Sequence, residues 1–326
     1  MSVRLPSSAL PIAAAIVLFL SLAGIAHAGQ TADAIVVTIP SQFPLSGPAE
    51  LTSTGSTAGA VAGNIQIIHT DTASFLLIPA VSAENGARLT SLRDSETGVV
   101  FRNNTIALPV VKDSDVIARL VLATDEMIAG RDGYTGRITG VELDIPGGER
   151  TVDGHRFSAG TAIFLKSLPQ GIAYRMVTTE GQDMKRAIDA ALEPAGLAPP
   201  AVPLAIEVDG VDQKSRSMIE FIIVSVSTDQ DWVEKYCSDN ITIYGRHDTS
   251  VVPVATRLVK ADDNTTVVYQ AVVSGPGRFA LAAAGEKPGS GLEWSISGAG
   301  EVLIFGGLLT VLISGLIIMV RRVLKK

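Results

Sequence analysis

The sequence predicts a mostly β protein with two β-sandwich-like extracellular domains, one short helix near 183–192 and one C-terminal transmembrane helix. Three observations carry that expectation. Short, β-branched apolar segments recur at regular spacing between Gly, Pro, Asn and Asp turn signals. Four prolines fall within the ten residues Pro194–Pro203 and divide those segments into two groups. Near the end of the chain, Val302 to Val320 reads VLIFGGLLTVLISGLIIMV without a charge.

That apolar run fixes the expected topology. At ~1.5 Å per residue it covers about 28 Å as a helix, close to one hydrocarbon core. Glu301 precedes it, and Arg321, Arg322, Lys325 and Lys326 follow it. Basic residues flank the cytoplasmic side of a span. The tail 321–326 is therefore expected inside, and everything before Glu301 outside. At the other end, Arg4, the apolar region Ile12–Ile25 and Ala26-His27-Ala28 have the order of a secretory signal peptide, residues 1–28. An uncleaved N-terminal anchor is the other reading of the same residues. The expected protein crosses the cell membrane once, contacts lipid through residues 302–320 and keeps its ectodomain outside.

Charge agrees with that placement. The formal net charge is −7, and all 33 acidic residues lie between the two apolar ends, while five cations (Arg4 and the four of the tail) lie outside that region. Such an acidic ectodomain argues against nucleic acid or an anionic lipid surface as partners. Cys237 is the sole cysteine, so no internal disulfide forms and stability must come from a core. A buried, inert thiol is expected, with pairing between chains as the alternative.

In the N-terminal domain, 29–193, strands are expected at Ala34–Ile39, Asn64–His69, Ser74–Ile78, Val99–Phe101, Thr105–Val110, Val116–Ala123, Arg137–Leu143, Thr161–Leu165 and Ile172–Thr178. Asn85-Gly86, Asp132-Gly133, Pro146-Gly147-Gly148 and Asp153-Gly154 supply the turns. Ser53–Gly63 is rich in Gly, Ser, Thr and Ala and reads as a flexible loop. Asp183–Leu192 places Met184, Ala187, Ile188 and Ala191 on one helical face, and Glu193-Pro194 ends it. The linker 194–203 follows.

In the second domain, 204–284, strands are expected at Ile219–Val226, Asn240–Tyr244, Val251–Leu258, Thr266–Val273 and Arg278–Ala283. The Ile219 strand is apolar on both faces after Glu220, as a central strand is. Phe221, Trp232 and Phe279 are its expected structural core. Pro288–Gly300 is Gly/Ser-rich and makes 285–301 a stalk, with Trp294 either at the membrane interface or packed on the domain.

Several residues in this second domain fall in a recurring order. They are Asp231-Trp232 with Tyr236, Ile241–Arg246, Pro253-Val254-Ala255-Thr256, Tyr269-Gln270-Ala271 and Gly275-Pro276-Gly277-Arg278-Phe279-Ala280. The region resembles the PGF-pre-PGF domain of archaeal cell-surface proteins. It departs from that pattern at Val252, where the family has a second tryptophan, and at Gly277-Arg278-Phe279, where it has a Gly-Phe-Ser element. The resemblance implies an archaeal envelope protein and no catalytic residues. The family's C-terminal sorting tripeptide is absent near the span, which implies retention by the protein's own helix.

Catalytic and metal motifs are sparse. His69, His155 and His247 show no metal-ligand spacing with one another or with Cys237. No Gly-x-Ser-x-Gly elbow, P-loop or His-Glu-x-x-His occurs. The Asp-Gly pairs at Asp132, Asp153 and Asp209 lack the other acidic ligands of a calcium loop and read as hairpin turns. Arg246-His247-Asp248 reads as a polar turn, and Asp262-Asp263-Asn264 as a solvated hairpin tip. No cofactor is expected. Asn103, Asn240 and Asn264 each begin an Asn-x-Thr sequon, with Asn264 the preferred acceptor and Asn240 close to a strand.

The expected function is a non-catalytic, membrane-anchored cell-surface protein, envelope or surface-layer associated, that displays β-sandwich domains. The alternative is an adhesion or ligand-binding module whose N-terminal domain binds a protein or glycan. A hydrolase is disfavoured by the missing motifs. Partners are the membrane, with other envelope proteins or glycans.

Overall fold

The computed structural model describes residues 34–46, 49–54, 56–59, 61–193, 201–247, 250–260 and 265–283. The expected signal peptide 1–28, stalk 285–301, span 302–320, tail 321–326 and Asn264 lie outside them, as does most of the linker. Among the described residues, no helix is long and apolar enough to cross a membrane.

Among the described residues, twenty-one strands dominate. The first eleven are β1 (Ile35–Thr38), β2 (Gln42–Phe43), β3 (Glu50–Ser53), β4 (Ser56–Gly59), β5 (Ile65–His69), β6 (Ser74–Ile78), β7 (Leu89–Arg93), β8 (Val100–Arg102), β9 (Thr105–Lys112), β10 (Asp115–Thr124) and β11 (Ile128–Gly130). Then come β12 (Gly133–Val152), β13 (His155–Leu165) and β14 (Ala173–Thr179), followed by helix α1 (Gln182–Leu192). Strand β15 (Ala205–Gly210), helix α2 (Gln213–Met218), strand β16 (Ile219–Asp229) and helix α3 (Gln230–Tyr236) continue the chain. The last strands are β17 (Ile241–His247), β18 (Ser250–Val254), β19 (Thr256–Lys260), β20 (Thr266–Val273) and β21 (Gly277–Ala283).

Two sheets result. One has six strands in the order β1-β14-β15-β21-β17-β18. The other has fifteen; its main path runs β19-β20-β16-β13-β12-β10-β9-β8-β7-β3-β4, with β2, β5, β6 and β11 joined to it. Among the described residues every strand pairing is antiparallel, as the short turns between neighbours allow. Asp113-Ser114 and Asp153-Gly154 take positive φ and close two-residue hairpins of the mirror-image type that matches strand twist.

Both sheets draw strands from both sides of the proline-rich stretch. Strand β13 pairs β16 over nine residues, Phe157↔Thr228 to Leu165↔Ile219, and β14 pairs β15 from Tyr174↔Gly210 to Thr179↔Ala205. The two expected domains are therefore one body: a break at 194–203 would cut hydrogen-bonded ladders in each sheet. The described strands all belong to one compact unit. Proline content marked a connection that only bridges the end of α1 to β15.

Three further expectations are corrected. Pro146–Gly148 is no turn; it is a bulge inside the 20-residue β12, where the register with β13 shifts between Pro146 and Glu149. Ser53–Gly63 is not a loop throughout, since it holds strand β4, which pairs β3 with Ser56 opposite Ser53 and Gly59 opposite Leu51. Val251–Leu258 is two strands, split at Ala255, where the chain leaves one sheet's edge for the other's. Thr256 holds that crossing: its Oγ1 accepts from the Ile243 amide at 2.9 Å and donates to the Val254 carbonyl at 2.8 Å.

The core lies between the sheets. Leu143, Ile145, Ile163, Ile222, Val224 and Tyr269 face Tyr174, Met176, Ile206, Val208, Phe279 and Leu281, all buried. Trp232 is buried at the start of α3, edge-on to Phe157 with ring centroids 5.2 Å apart. Phe279 is fully buried. Phe221 is not a core residue. It is half-buried and stacks on its cross-strand neighbour Phe164 at 4.3 Å, on the face opposite Ile222. A strand apolar on both faces has two candidate inner sets, and the buried one is Ile222, Val224 and Val226.

Candidate functional site

The outer face of the six-stranded sheet is divided in two. Its upper part, Ala205, Ala280 and Ala282, is small and apolar and is covered by Met184 and Ile188 of α1. The amphipathic pattern read in 183–192 accounts for that contact, although Ala191 is exposed. Below the helix the same strands turn charged. Along β15, Ile206 and Val208 point inward, so Glu207 and Asp209 point outward. Along β21, Phe279 points inward and Arg278 outward, and Arg246 of β17 stands directly across from Arg278.

These residues line an open cleft of about 560 Å³, together with Val208, Arg216, Pro276 and Gly277. Two ion-pair systems shape it. Glu207 accepts from Arg175 Nη2 at 2.7 Å and from Arg278 Nε at 2.6 Å. Arg216 donates from Nε and Nη2 to the two oxygens of Asp209, both at 2.7 Å. That fork against a carboxylate is the strong, orientation-fixing geometry, and hydrogen bonding to Asp209 raises the Arg216 pKa further.

Local backbone chemistry sets these positions. Asp212 caps α2 by accepting from the Ser215 amide at 2.7 Å, which holds its carboxyl below the ordinary carboxylate range. Gly210 lets α2 approach: a Cβ there would lie 2.5 Å from the Arg216 amide nitrogen. Gly245 leaves room for the Phe279 ring, which a Cβ would meet at 3.3 Å. Arg278 and Arg246 thus share one face of adjacent strands, with Glu207 compensating the Arg278 charge.

No family model, curated protein or solved structure matches this chain.

The cleft was not foreseen from the sequence. Asp209-Gly210 was expected as a hairpin turn and instead ends a sheet strand. Arg246 was expected in a polar turn and lies in β17. The alternation Ile206-Glu207-Val208-Asp209 is the signal that marks β15, but nothing local brings Glu207 to Arg278, 71 residues away.

Other polar groups cluster elsewhere. Asp229 caps α3 through the Trp232 amide at 2.9 Å, and also accepts from the Arg156 amide at 3.1 Å and pairs with His155 Nδ1 at 2.9 Å. Burial pushes its pKa up, but those hydrogen bonds outweigh it and hold the carboxyl low. On the outer face of the large sheet, Glu142 stands across from Phe164 and Val121, and Asp144 across from Arg119. Burial raises Glu142 to about 7, with a contribution from the Asp144 charge. Burial raises Asp144 to about 6, partly offset by Arg119. Among the described residues, no group of three or more His, Cys, Asp or Glu is placed to hold a metal ion.

Of the sequons, Asn103 is exposed at the tip of the β8–β9 hairpin, where Asn103 and Asn104 both take positive φ. Asn240 closes a short 3₁₀ turn, and its side-chain amide nitrogen donates to the Tyr236 carbonyl at 3.1 Å. Cys237 is half-buried at positive φ between α3 and that turn.

Proposed function

We propose that this is a non-catalytic, membrane-anchored cell-surface protein, held by residues 302–320 with its tail 321–326 cytoplasmic and its β-sandwich displayed outside. The observation that carries the reading is the position of β21. Among the described strands it is the nearest to the apolar run in sequence, and it lies inside the six-stranded sheet, paired to β15 on one side and β17 on the other. An anchor following it is tied to the middle of the fold and not to a frayed edge. The signal-like residues 1–28 and the resemblance of 204–284 to PGF-pre-PGF domains support an envelope setting. The test is protease treatment of intact cells, which should remove an epitope in the β-sandwich and spare one on the tail. Protection of the β-sandwich sinks the proposal.

A second reading, a ligand-binding module, is favoured by the charged cleft beside α2. It moves the binding site from the N-terminal region to a face built by β15, β17, β21 and α2.

A further inference from the structure

The fold treats the two Asn-x-Thr sequons of the described residues unequally. Asn103 and Asn104 are the central residues of the turn between β8 and β9, closed by the pairing of Arg102 with Thr105. Both take positive φ, 53° and 57°, as a mirror-image two-residue hairpin requires and as asparagine tolerates. A neighbouring strand end holds this turn: the Thr124 amide and hydroxyl donate to the Asn104 carbonyl at 2.8 and 3.2 Å. Asn103 is exposed, and among the described residues nothing hydrogen-bonds its side-chain amide or the Thr105 hydroxyl. Those are the two groups by which an Asn-x-Thr acceptor is defined.

Asn240 has the same motif in the opposite surroundings. Its Nδ2, the atom that takes a sugar, donates to the Tyr236 carbonyl at 3.1 Å, and its backbone amide donates to the Cys237 carbonyl at 3.1 Å. Two residues on, Thr242 is half-buried within β17, across from Ala282 of β21. Presenting this sequon to an enzyme requires opening β17 from its sheet, which costs the ladder it belongs to. The two sequons also lie toward opposite ends of the fold. Late in β12, Arg150 pairs with Glu180 at 3.4 Å, just past the Thr179↔Ala205 pair, at the end of the six-stranded sheet where Ile241 meets Ala283. The Asn103 tip sits instead on Thr124, which pairs Ile138 near the start of β12.

We propose that Asn103 is N-glycosylated and that Asn240 is not. The inference rests on display of the β-sandwich outside the cell. The donor is a glycan linked to a lipid phosphate. Its anomeric carbon bonds to Asn103 Nδ2 as its bond to the phosphate oxygen breaks; the phosphate leaves with the lipid, and one Nδ2 proton passes to a base of the transferase. A bulky, hydrated glycan at this tip displaces no packed side chain and stands away from Ala283, the last described residue before the apolar run.

The test is mass spectrometry of tryptic peptides from the full chain, purified from membranes of the cells that make it. Trypsin separates the two sequons into peptides 103–112 and 236–246. The first should carry the mass of one or more sugar residues, and the second should be bare. Thr105→Ala should lose the added mass although Asn103 is still present. Asn104→Gly, which keeps the sequon and suits the turn, should retain it. Should Thr105→Ala fail to accumulate, Asn103→Asp should show the same loss. A bare 103–112 peptide from a chain whose β-sandwich is cleaved by protease on intact cells overturns the glycan and leaves surface display standing. The same bare peptide from a chain whose β-sandwich is protected overturns both. Sugar on 236–246 overturns the selection between the two sequons. Added mass on 103–112 that survives both Thr105→Ala and Asn103→Asp belongs to another residue and overturns the assignment.

Discussion

Replacing Glu142 by Gln should stabilise this protein in alkali and do almost nothing in acid. Glu142 is buried on the outer face of the large sheet, and its pKa stands at about 7 against an ordinary 4.5. The folded state therefore holds its proton more tightly than the unfolded chain does. For a carboxyl raised in this way, stability falls as pH climbs from the unfolded value through the folded one, and stays low above it. A shift of that size, at about 1.4 kcal/mol per unit, amounts to roughly 3 kcal/mol between pH 4 and pH 8. Gln keeps the shape and never ionises, so the variant loses the penalty. Urea unfolding at the two pH values measures it: the variant minus wild-type difference should grow by about 3 kcal/mol from pH 4 to pH 8. A difference that stays constant across that range would mean Glu142 titrates normally and the burial argument fails.

Asp229 should behave in the opposite sense. Its pKa is depressed, so its contribution is present above the ordinary carboxylate value and fades as pH falls through the lowered one; Asp229→Ala should cost about 2 kcal/mol at pH 7 and progressively less in acid, by urea melts. Trp232→Ala should cost about 3–5 kcal/mol, while Phe221→Ala, half-buried outside the core, should cost about 1 kcal/mol; equal losses in thermal melts would return Phe221 to the core. A chain nicked between 194 and 200 should keep its two pieces together on a sizing column in native buffer, because β13–β16 and β14–β15 bridge the cut. The piece 204–284 expressed alone should show no cooperative melt, and a sharp one would restore two domains.

Local elements were legible because their signals are local. The period-two alternation in Thr105–Val110 and the helical face of Met184 and Ile188 each appear in the structure close to where the sequence puts them. The Asp153-Gly154 hairpin does too, since positive φ favours such residues. What failed were inferences about partners. Four prolines in ten residues describe a stiff connection and say nothing about whether strands on either side pair with each other. Pro146-Gly147-Gly148 has the composition of a turn, yet Gly147 sits where a Cβ would lie 2.6 Å from the Ala159 carbonyl oxygen, so the glycine serves strand proximity. The cleft was hidden for the same reason. Arg246 and Arg278 are neighbours only because β17 and β21 are, and no spacing in the sequence encodes that.

The strand order also sets a schedule. Strand β1 waits for β14, about 140 residues later, and β15 and β17 are not joined until β21 arrives between them. Contacts this distant in sequence make folding slow, because each must close a long loop before anything is gained. In a chain made N-terminus first, β21 is the last of the described strands to emerge. Until then β15 and β17 each present an unpaired edge, the kind that recruits neighbouring chains. The six-stranded sheet is thus completed only when its last described strand arrives, and the interval before that is when the new chain is most exposed to aggregation.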